Sequence, residues 1–420
     1  MNKELFIHKC KHNTERFITT VKWVIFSILT GTLAGGIGTL FYFCMNLVTN
    51  TRFQHPQLLF LLPFGAVTTV ALYRLLHNEK DAGTNLVLSA IHSDDEIPIQ
   101  TAPLIFISTL ITHLVGGSAG REGAALQLGG SIGNSLGRLF RFNQKDKHIM
   151  IMCGMSAAFS ALFGTPMAAA IFSMEVVSVG IMHYAALVPC VISALIAHGI
   201  ASHCGILAPF YQILVLPEFT IANAIRICGL AILCGLVSML FCVLLHQSEH
   251  LYKKFFRNPY IRALVGGCLV LVLTLLVGDQ TYNGTGISII QEAMTGDVRW
   301  ESFLLKMIFT ALTLGAGYKG GEIVPALFIG STFGCLYGGL LGFSPTLCAA
   351  VGMGAVFCGV TNCPITSLFI CFELFGLQGL PYFLISIAFS YLVSGYYGLY
   401  SSQKIVYSKY KSNYIDKKTQ

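Results

Sequence analysis

Apolar residues gather in long blocks along the chain. The long runs cover 23–48, 57–76, 102–117, 148–163, 184–203, 223–246, 260–278, 303–316 and 380–400. Shorter runs broken by glycine cover 124–137, 166–180, 324–342, 346–360 and 364–376. A helix needs about 20 apolar residues to cross a bilayer, and several of these runs fall short. The pattern predicts an all-α polytopic membrane protein. Short segments broken by Gly or Pro, at matching places in two halves, point to discontinuous, re-entrant helices around a midplane binding site.

The halves match residue by residue. Gly154, Met155, Ala157, Phe159, Pro166 and Glu175 recur 198 positions later as Gly352, Met353, Ala355, Phe357, Pro364 and Glu373. Glu122, Gly130, Ser131 and Leu136 recur 200 positions later as Glu322, Gly330, Ser331 and Leu336. Matches at two nearly equal spacings predict two structural repeats, residues 23–210 and 211–403. The spacing alone leaves parallel and inverted arrangements both open.

Composition narrows the class further. Charged residues make up 11% of the chain, against 54% hydrophobic residues, with a mean hydropathy of +0.70. Soluble domains carry about 25% charge, so soluble enzymes, nucleic-acid binders and disordered chains are excluded. The net charge of +7 is concentrated at the ends. Lys3, Lys9, Lys11, Arg16 and Lys22 lie in residues 1–22, and Lys404, Lys409, Lys411, Lys417 and Lys418 in residues 404–420. Basic flanks of this kind predict cytoplasmic termini in a multi-pass cell-membrane protein. Residues 1–20 are polar, and the run from Trp23 to Val48 is too long for a signal-peptide core, so no cleavable leader is expected. The fourteen cysteines include no Cys-x-x-Cys pair and read as small apolar residues. No His-Glu-x-x-His occurs, and no metal or other cofactor is expected.

Acids inside a membrane need a reason. Four lie within the apolar or glycine-rich runs: Glu122, Glu175, Glu322 and Glu373. Glu175 and Glu373 each follow a proline by nine residues, near a helix end, where capping or packing explains them. Glu122 and Glu322 stand among glycines, in Gly120-Arg121-Glu122-Gly123 and Gly320-Gly321-Glu322, just before an apolar helix. Glycines let backbone approach an ion. A helix start offers unpaired N–H groups and the positive end of its dipole, which favours anions. A carboxylate there competes with the anion when charged and can leave when protonated; the plainer alternative is that each glutamate caps its helix. Gly116-Gly117-Ser118-Ala119-Gly120 also fits the nucleophile elbow of serine hydrolases, but an apolar helix-length run precedes it where that motif needs a strand. An intramembrane serine hydrolase using Ser118 is the remote alternative. Gly31 and Gly35 fit a close helix–helix contact.

These residues together resemble the CLC family of chloride channels and proton-coupled anion antiporters. Gly116 to Gly123 looks like the family's Gly-Arg-Glu-Gly motif, Gly320 to Pro325 its second pore motif, and Gly164-Thr165-Pro166 through Glu175 fits as well. The resemblance spans about residues 25 to 403. It implies two inverted repeats per subunit and a homodimer in membrane lipid, with one pathway in each subunit. Glu122 falls on the gating glutamate, which occupies the anion site, takes a proton and swings away. Ile323 and Val324 fall where backbone N–H groups meet the anion, and Tyr400 falls on the pore tyrosine. Gly120, Arg121 and Gly123 belong to the same anion site. The chain after Tyr400 is shorter than the cytosolic nucleotide-binding domains that some members append.

The departures carry information too. The first pore motif, usually Gly-Ser-Gly-Ile-Pro, reads Gly83-Thr84-Asn85-Leu86-Val87 here, which makes Thr84 and Asn85 candidate anion ligands, or else helix caps. Glu322 replaces an apolar residue of chloride-selective members, and Val176 stands where many exchangers have an inner proton glutamate. Gly317-Tyr318-Lys319-Gly320-Gly321-Glu322 resembles the fluoride-exporting branch, although that branch's threonine two positions on is Val324 here. Fluoride is small and tightly hydrated, so a protonated carboxylic acid and a phenol are apt O–H donors for it. Glu322 would repel an anion unless protonated for part of the cycle, and it can supply the missing proton relay. Lys319 is read as steering anions or as sitting at the aqueous end of a loop. The expectation is a fluoride/proton antiporter, not an enzyme, with fluoride or chloride and protons as its partners and no nucleic acid. A chloride/proton exchanger or passive chloride channel on the same fold is the alternative.

Overall fold

A computed structural model describes residues 3–79, 81–93 and 95–420, with side chains from residue 13 onward. Lys3, Lys9 and Lys11 of the basic N-terminus carry side chains outside the described residues. Two series of helices follow one another. The first comprises α1 (Lys3–Gln54), α2 (Leu62–Leu75), α3 (Thr84–His92), α4 (Thr101–Leu114), α5 (Glu122–Leu139), α6 (Gln144–Phe163), α7 (Pro166–Glu175) and α8 (Leu187–His203). The second comprises α9 (Ile221–Phe255), α10 (Pro259–Val277), α11 (Ile287–Ala293), α12 (Ser302–Gly315), α13 (Ile323–Leu340), α14 (Pro345–Thr361), α15 (Pro364–Phe375) and α16 (Leu380–Val393). The order of lengths repeats: α4 and α12 both have 14 residues, and α5 and α13 both have 18. Every apolar run became a helix. The hydrophobic pattern missed α3 and α11, because helices of nine and seven residues are too short to leave a periodic trace.

Local signals set the helix ends. Proline opens α7, α10, α14 and α15, where its missing N–H has no helical partner to lose. Asn143 caps α6 by accepting from the Asp146 N–H at 2.8 Å. Six helices are long and apolar enough to cross a membrane among the described residues, and shorter apolar helices pack between them. Large apolar side chains such as Leu47, Leu276 and Ile221 face outward on the long helices. In water that surface would be a liability, and in lipid it is the required solvent-facing shell. The protein is a multi-pass membrane protein.

Glycine governs the interior packing. The helix pair α5 and α6 crosses at Gly129 and Gly154, and the pair α13 and α14 crosses at Gly330 and Gly352. A methyl group at any of the four would overlap the carbonyl of its partner. Gly31 and Gly35 admit Ser193 and Ala197 of α8 in the same way. Cysteines do not all follow the apolar-core expectation: Cys234 and Cys242 are buried in α9, Cys228 is half-buried, and Cys268 is exposed on α10.

The short helices α7 and α15 lie against each other, and each carries in its last turn an acid that serves the other. Glu175 accepts from Ile365 N–H at 3.0 Å, Thr366 N–H at 2.7 Å and the Thr366 hydroxyl at 2.5 Å. Glu373 accepts from Met167 and Ala168 N–H, both at 2.9 Å. Capping explains both acids, but each caps the start of the partner helix rather than its own.

A small sheet departs from the all-helical expectation. Strands β1 (Ser178–Val179), β2 (Lys404–Tyr407) and β3 (Tyr414–Lys418) pair in that order, β1 parallel to β2 and β2 antiparallel to β3. The basic tail therefore docks on the protein. Thr419 donates through its hydroxyl to the Tyr400 carbonyl at 2.5 Å, and Gln420 N–H donates to the Tyr396 carbonyl at 2.9 Å. Lys409 donates to Asn362 Oδ1 at 2.5 Å and to the Tyr391 carbonyl and Ser394 hydroxyl, both at 3.1 Å. A charge read as a topological signal is here a structural pin. Together these bonds hold the loop that carries Tyr400.

Candidate functional site

Two loops meet in the interior. One connects α4 to α5 and carries Gly116 to Arg121; the other connects α12 to α13 and carries Ala316 to Glu322. They cross as a single antiparallel bridge, with Gly120 N–H donating to the Gly321 carbonyl at 2.6 Å and Gly321 N–H donating to the Gly120 carbonyl at 2.8 Å. Only glycine fits there. A Cβ on Gly321 would lie 2.5 Å from the Gly123 nitrogen, and a Cβ on Gly123 would lie 2.9 Å from the Gly321 Cα. The Gly120 N–H is thus spent on the crossing.

The two acids flank this crossing. Glu122 Oε2 lies 3.2 Å from where a Gly120 methyl would sit, and Glu322 Oε2 lies 3.2 Å from where a Gly123 methyl would sit. Glu122 is fully buried. Its Oε2 accepts from Arg121 N–H at 3.1 Å, while Oε1 is 3.5 Å from Arg121 Nε and makes no hydrogen bond. A carboxylate oxygen thus occupies a backbone donor that a free anion would use. Glu322 is the N-terminal flanking residue of α13 yet makes no capping bond, and its Oε2 has no hydrogen-bond partner. The helix-cap alternative fails for it. Ile323 and Val324, the first residues of α13, are buried, and no carbonyl precedes them within the helix to take their N–H groups.

Tyr400 completes the constellation. Its ring is buried, its hydroxyl has no hydrogen-bond partner, and it lies close enough to feel the charges of both Glu322 and Glu122. Thr84 Oγ1 sits 3.4 Å from the same Gly123 methyl position that Glu322 approaches, and it donates weakly to the Gly123 carbonyl at 3.4 Å. Asn85 does something else: its Oδ1 accepts from Ser402 N–H at 2.9 Å and ties α3 to the Tyr400 loop. Neither side chain caps α3, whose flanking residue is Gly83 at φ +67°.

Several neighbours escaped the sequence reading. Gln127 is buried one turn beyond Glu122 and donates to Thr84 Oγ1 at 3.4 Å. A polar residue inside an apolar helix was the available signal. Arg121 stacks on Tyr42 of α1, with its guanidinium carbon 4.8 Å from the ring centre. Tyr42, Arg121, Glu122, Phe163, Val324 and Met353 line a cavity of about 300 Å³. Phe163, at the end of α6 away from the Lys22–Asp146 ion pair, is the phenylalanine that reaches this space. Lys319 is partly exposed and ion-paired: its Nζ is 3.0 Å from Asp81 Oδ2 and 4.4 Å from the centre of the Tyr73 ring. Ser118 is fully buried and pairs with the Thr310 hydroxyl at 3.1 Å after a helix rather than a strand, so the hydrolase alternative has no support.

Two apolar helix series whose glycine-lined helix starts, each carrying an acid, meet in the interior form an arrangement suited to an anion-transport protein. Residues 64–395 match the family described as voltage gated chloride channel, and the chain belongs to that family of CLC anion channels and transporters. It is 34% identical to a chloride/fluoride channel protein of Pseudomonas syringae pv. tomato, over 93% of this chain and 88% of that one. It is 27% identical to the H(+)/Cl(-) exchange transporter ClcA of Vibrio cholerae serotype O1, over 83% of this chain and 81% of that one. The crystal structure of a CLC-type fluoride/proton antiporter superposes with a TM-score of 0.89 at 31% identity, covering 92% of this chain and 98% of that chain. A slow cyanobacterial Cl-/H+ antiporter shares the fold at a TM-score of 0.77 and 18% identity, covering 89% of this chain and 94% of that chain.

Proposed function

We propose that this protein exports fluoride in exchange for protons. The observation that carries the reading is the pair of carboxylates, Glu122 and Glu322, each with one oxygen that makes no hydrogen bond, on either side of the Gly120–Gly321 crossing. Glu122 is the gate. Charged, it holds the Arg121 N–H and blocks the anion; protonated, it releases that donor and swings out. Glu322 is the second proton carrier. Protonated, its O–H and the Tyr400 phenol are donors strong enough to replace part of fluoride's hydration. The N–H groups of Gly123, Ile323 and Val324 complete the site, with Thr84 beside it. Val176 stands where an inner proton glutamate would, and Glu322 takes over the proton relay in this reading. The fluoride/proton antiporter structure and the chloride/fluoride channel relative support the choice of ion.

The working protein in this reading is a homodimer with one pathway per subunit, two repeats at 23–210 and 211–403, and both basic ends in the cytoplasm. Chloride/proton exchange or passive chloride conduction is the second reading. Val324 favours it, because it gives the α13 start no hydroxyl for fluoride. The deciding experiment is a paired measurement of fluoride efflux and proton uptake in liposomes. The proposal expects the two fluxes to rise together. Chloride moving as readily as fluoride, or fluoride moving without protons, rejects it.

A further inference from the structure

Beside the first cavity lies a second, of about 450 Å³, and Arg121 lines both. The second is walled by the end of α1, the segment 280–286 and the start of α11, and its polar lining includes Arg52, Asn283, Thr285 and Ser288. Arg52 is the anomaly. It is 3% exposed, its Nε and Nη1 have no hydrogen-bond partner, and no carboxylate pairs with it among the described residues. Its position in the last turn of α1 places it near the negative end of that helix dipole, a modest compensation. Its ring contact with Phe53, at 4.9 Å, is another. Neither replaces the hydrogen bonds a buried guanidinium requires.

The wall behind Arg52 holds a second basic side chain. Lys306 is fully buried and donates to the Tyr282 and Gly284 carbonyls at 3.1 and 2.7 Å, again without a carboxylate among the described residues. Gly284, at φ +60°, leaves the space the guanidinium occupies; a Cβ there would lie 2.6 Å from Arg52 Nη1. Asn283 fixes the same loop by donating to the Gly116 carbonyl at 2.6 Å. One acid, Glu292, lines the cavity, and it is exposed at the rim. Arg52 therefore brings to this pocket a buried guanidinium with no carboxylate partner among the described residues.

We propose that this second cavity is an anion antechamber, a binding site for a small inorganic anion held by the Arg52 guanidinium and passed to or from the gate past Arg121. The proposal deepens the transport reading and rests on it for which ion is carried. A buried, unpaired guanidinium suits a monovalent anion that must be held briefly: attraction is strong in a low-dielectric wall, and a rim of hydroxyls replaces hydration in part. Charge of this kind raises the local anion concentration at a mouth and speeds passage, an effect that salt screens.

The test uses the full-length protein in two arms. In the first, crystals soaked in sodium bromide are examined for an anomalous peak beside Arg52. The peak is expected in the wild type and in Glu122→Gln, and it should vanish in Arg52→Gln. No peak in the wild-type cavity, or a peak indifferent to Arg52→Gln, overturns the proposal, whichever ion the protein transports. In the second arm, anion flux is measured in liposomes at low and high ionic strength. Arg52→Gln should slow flux by roughly threefold at low salt and much less at high salt, because screening erases the advantage of the wild type. Ser288→Asp changes an exposed rim residue and cannot disturb the interior, so it covers the case in which Arg52→Gln fails to fold. It should lower both the bromide peak and the low-salt flux, and if it leaves both unchanged the antechamber does not exist. Loss of fluoride specificity in the wild type would sink the fluoride reading while leaving the bromide arm to decide this one.

Discussion

Glu175 and Glu373 cap each other's helices: each acid lies in the last turn of one short helix and receives the backbone N–H groups that begin the other. The bond across the two repeats is thus symmetric in form but not in setting. Glu175 is buried and accepts three bonds, whereas Glu373 is half-buried and accepts two. Glu175→Ala should therefore destabilise the protein by about 3 kcal/mol, the scale of charge-assisted bonds lost with their donors left buried. Glu373→Ala should cost less. Unfolding followed in detergent, with both single variants and the double, checks the order; equal losses would contradict it.

Gly321 tolerates no side chain. Gly321→Ala puts a methyl into the Gly123 backbone at the crossing of the two loops. Backbone cannot rotate away as a side chain can, so a loss of roughly 1–3 kcal/mol is expected. Transport should fall more steeply than stability, since the two acids are held by that crossing. Flux per folded protein, normalised by size-exclusion recovery, separates the two effects.

In the proposed cycle, Glu122→Gln imitates the protonated acid permanently. The amide still reaches the same space but cannot exchange a proton. Anion flux in this variant should lose its pH dependence, and proton uptake per anion should fall to background, while the protein elutes as the wild type does. Retained proton coupling would remove Glu122 from the gating role.

Glu322→Ala removes an acid whose Oε2 has no hydrogen-bond partner and whose side chain does not cap α13. Folding should change little. Fluoride flux should fall about tenfold, the equivalent of about 1.4 kcal/mol in a donor interaction, and chloride flux far less, because chloride needs weaker replacement of its hydration. Equal losses for the two ions would place Glu322 in a general structural role.

The amino-acid sequence by itself determined the membrane setting, the run of helices and the two glycine-flanked acids. Scarce charge, unbroken apolar runs and the 198- and 200-residue spacings are local or periodic features, and they survive in one dimension. Tertiary structure alone decided what those residues touch. Gly120 spends its N–H on Gly321, Asn85 accepts from Ser402, Lys319 pairs with Asp81, and the basic tail becomes strands that brace Tyr400. Arg52 gave no sign of itself at the end of a long apolar helix. The physical reason is the same in each case. These partners are brought together by packing across separate helices, and a contact between distant segments imposes no pattern on the residues next to either one.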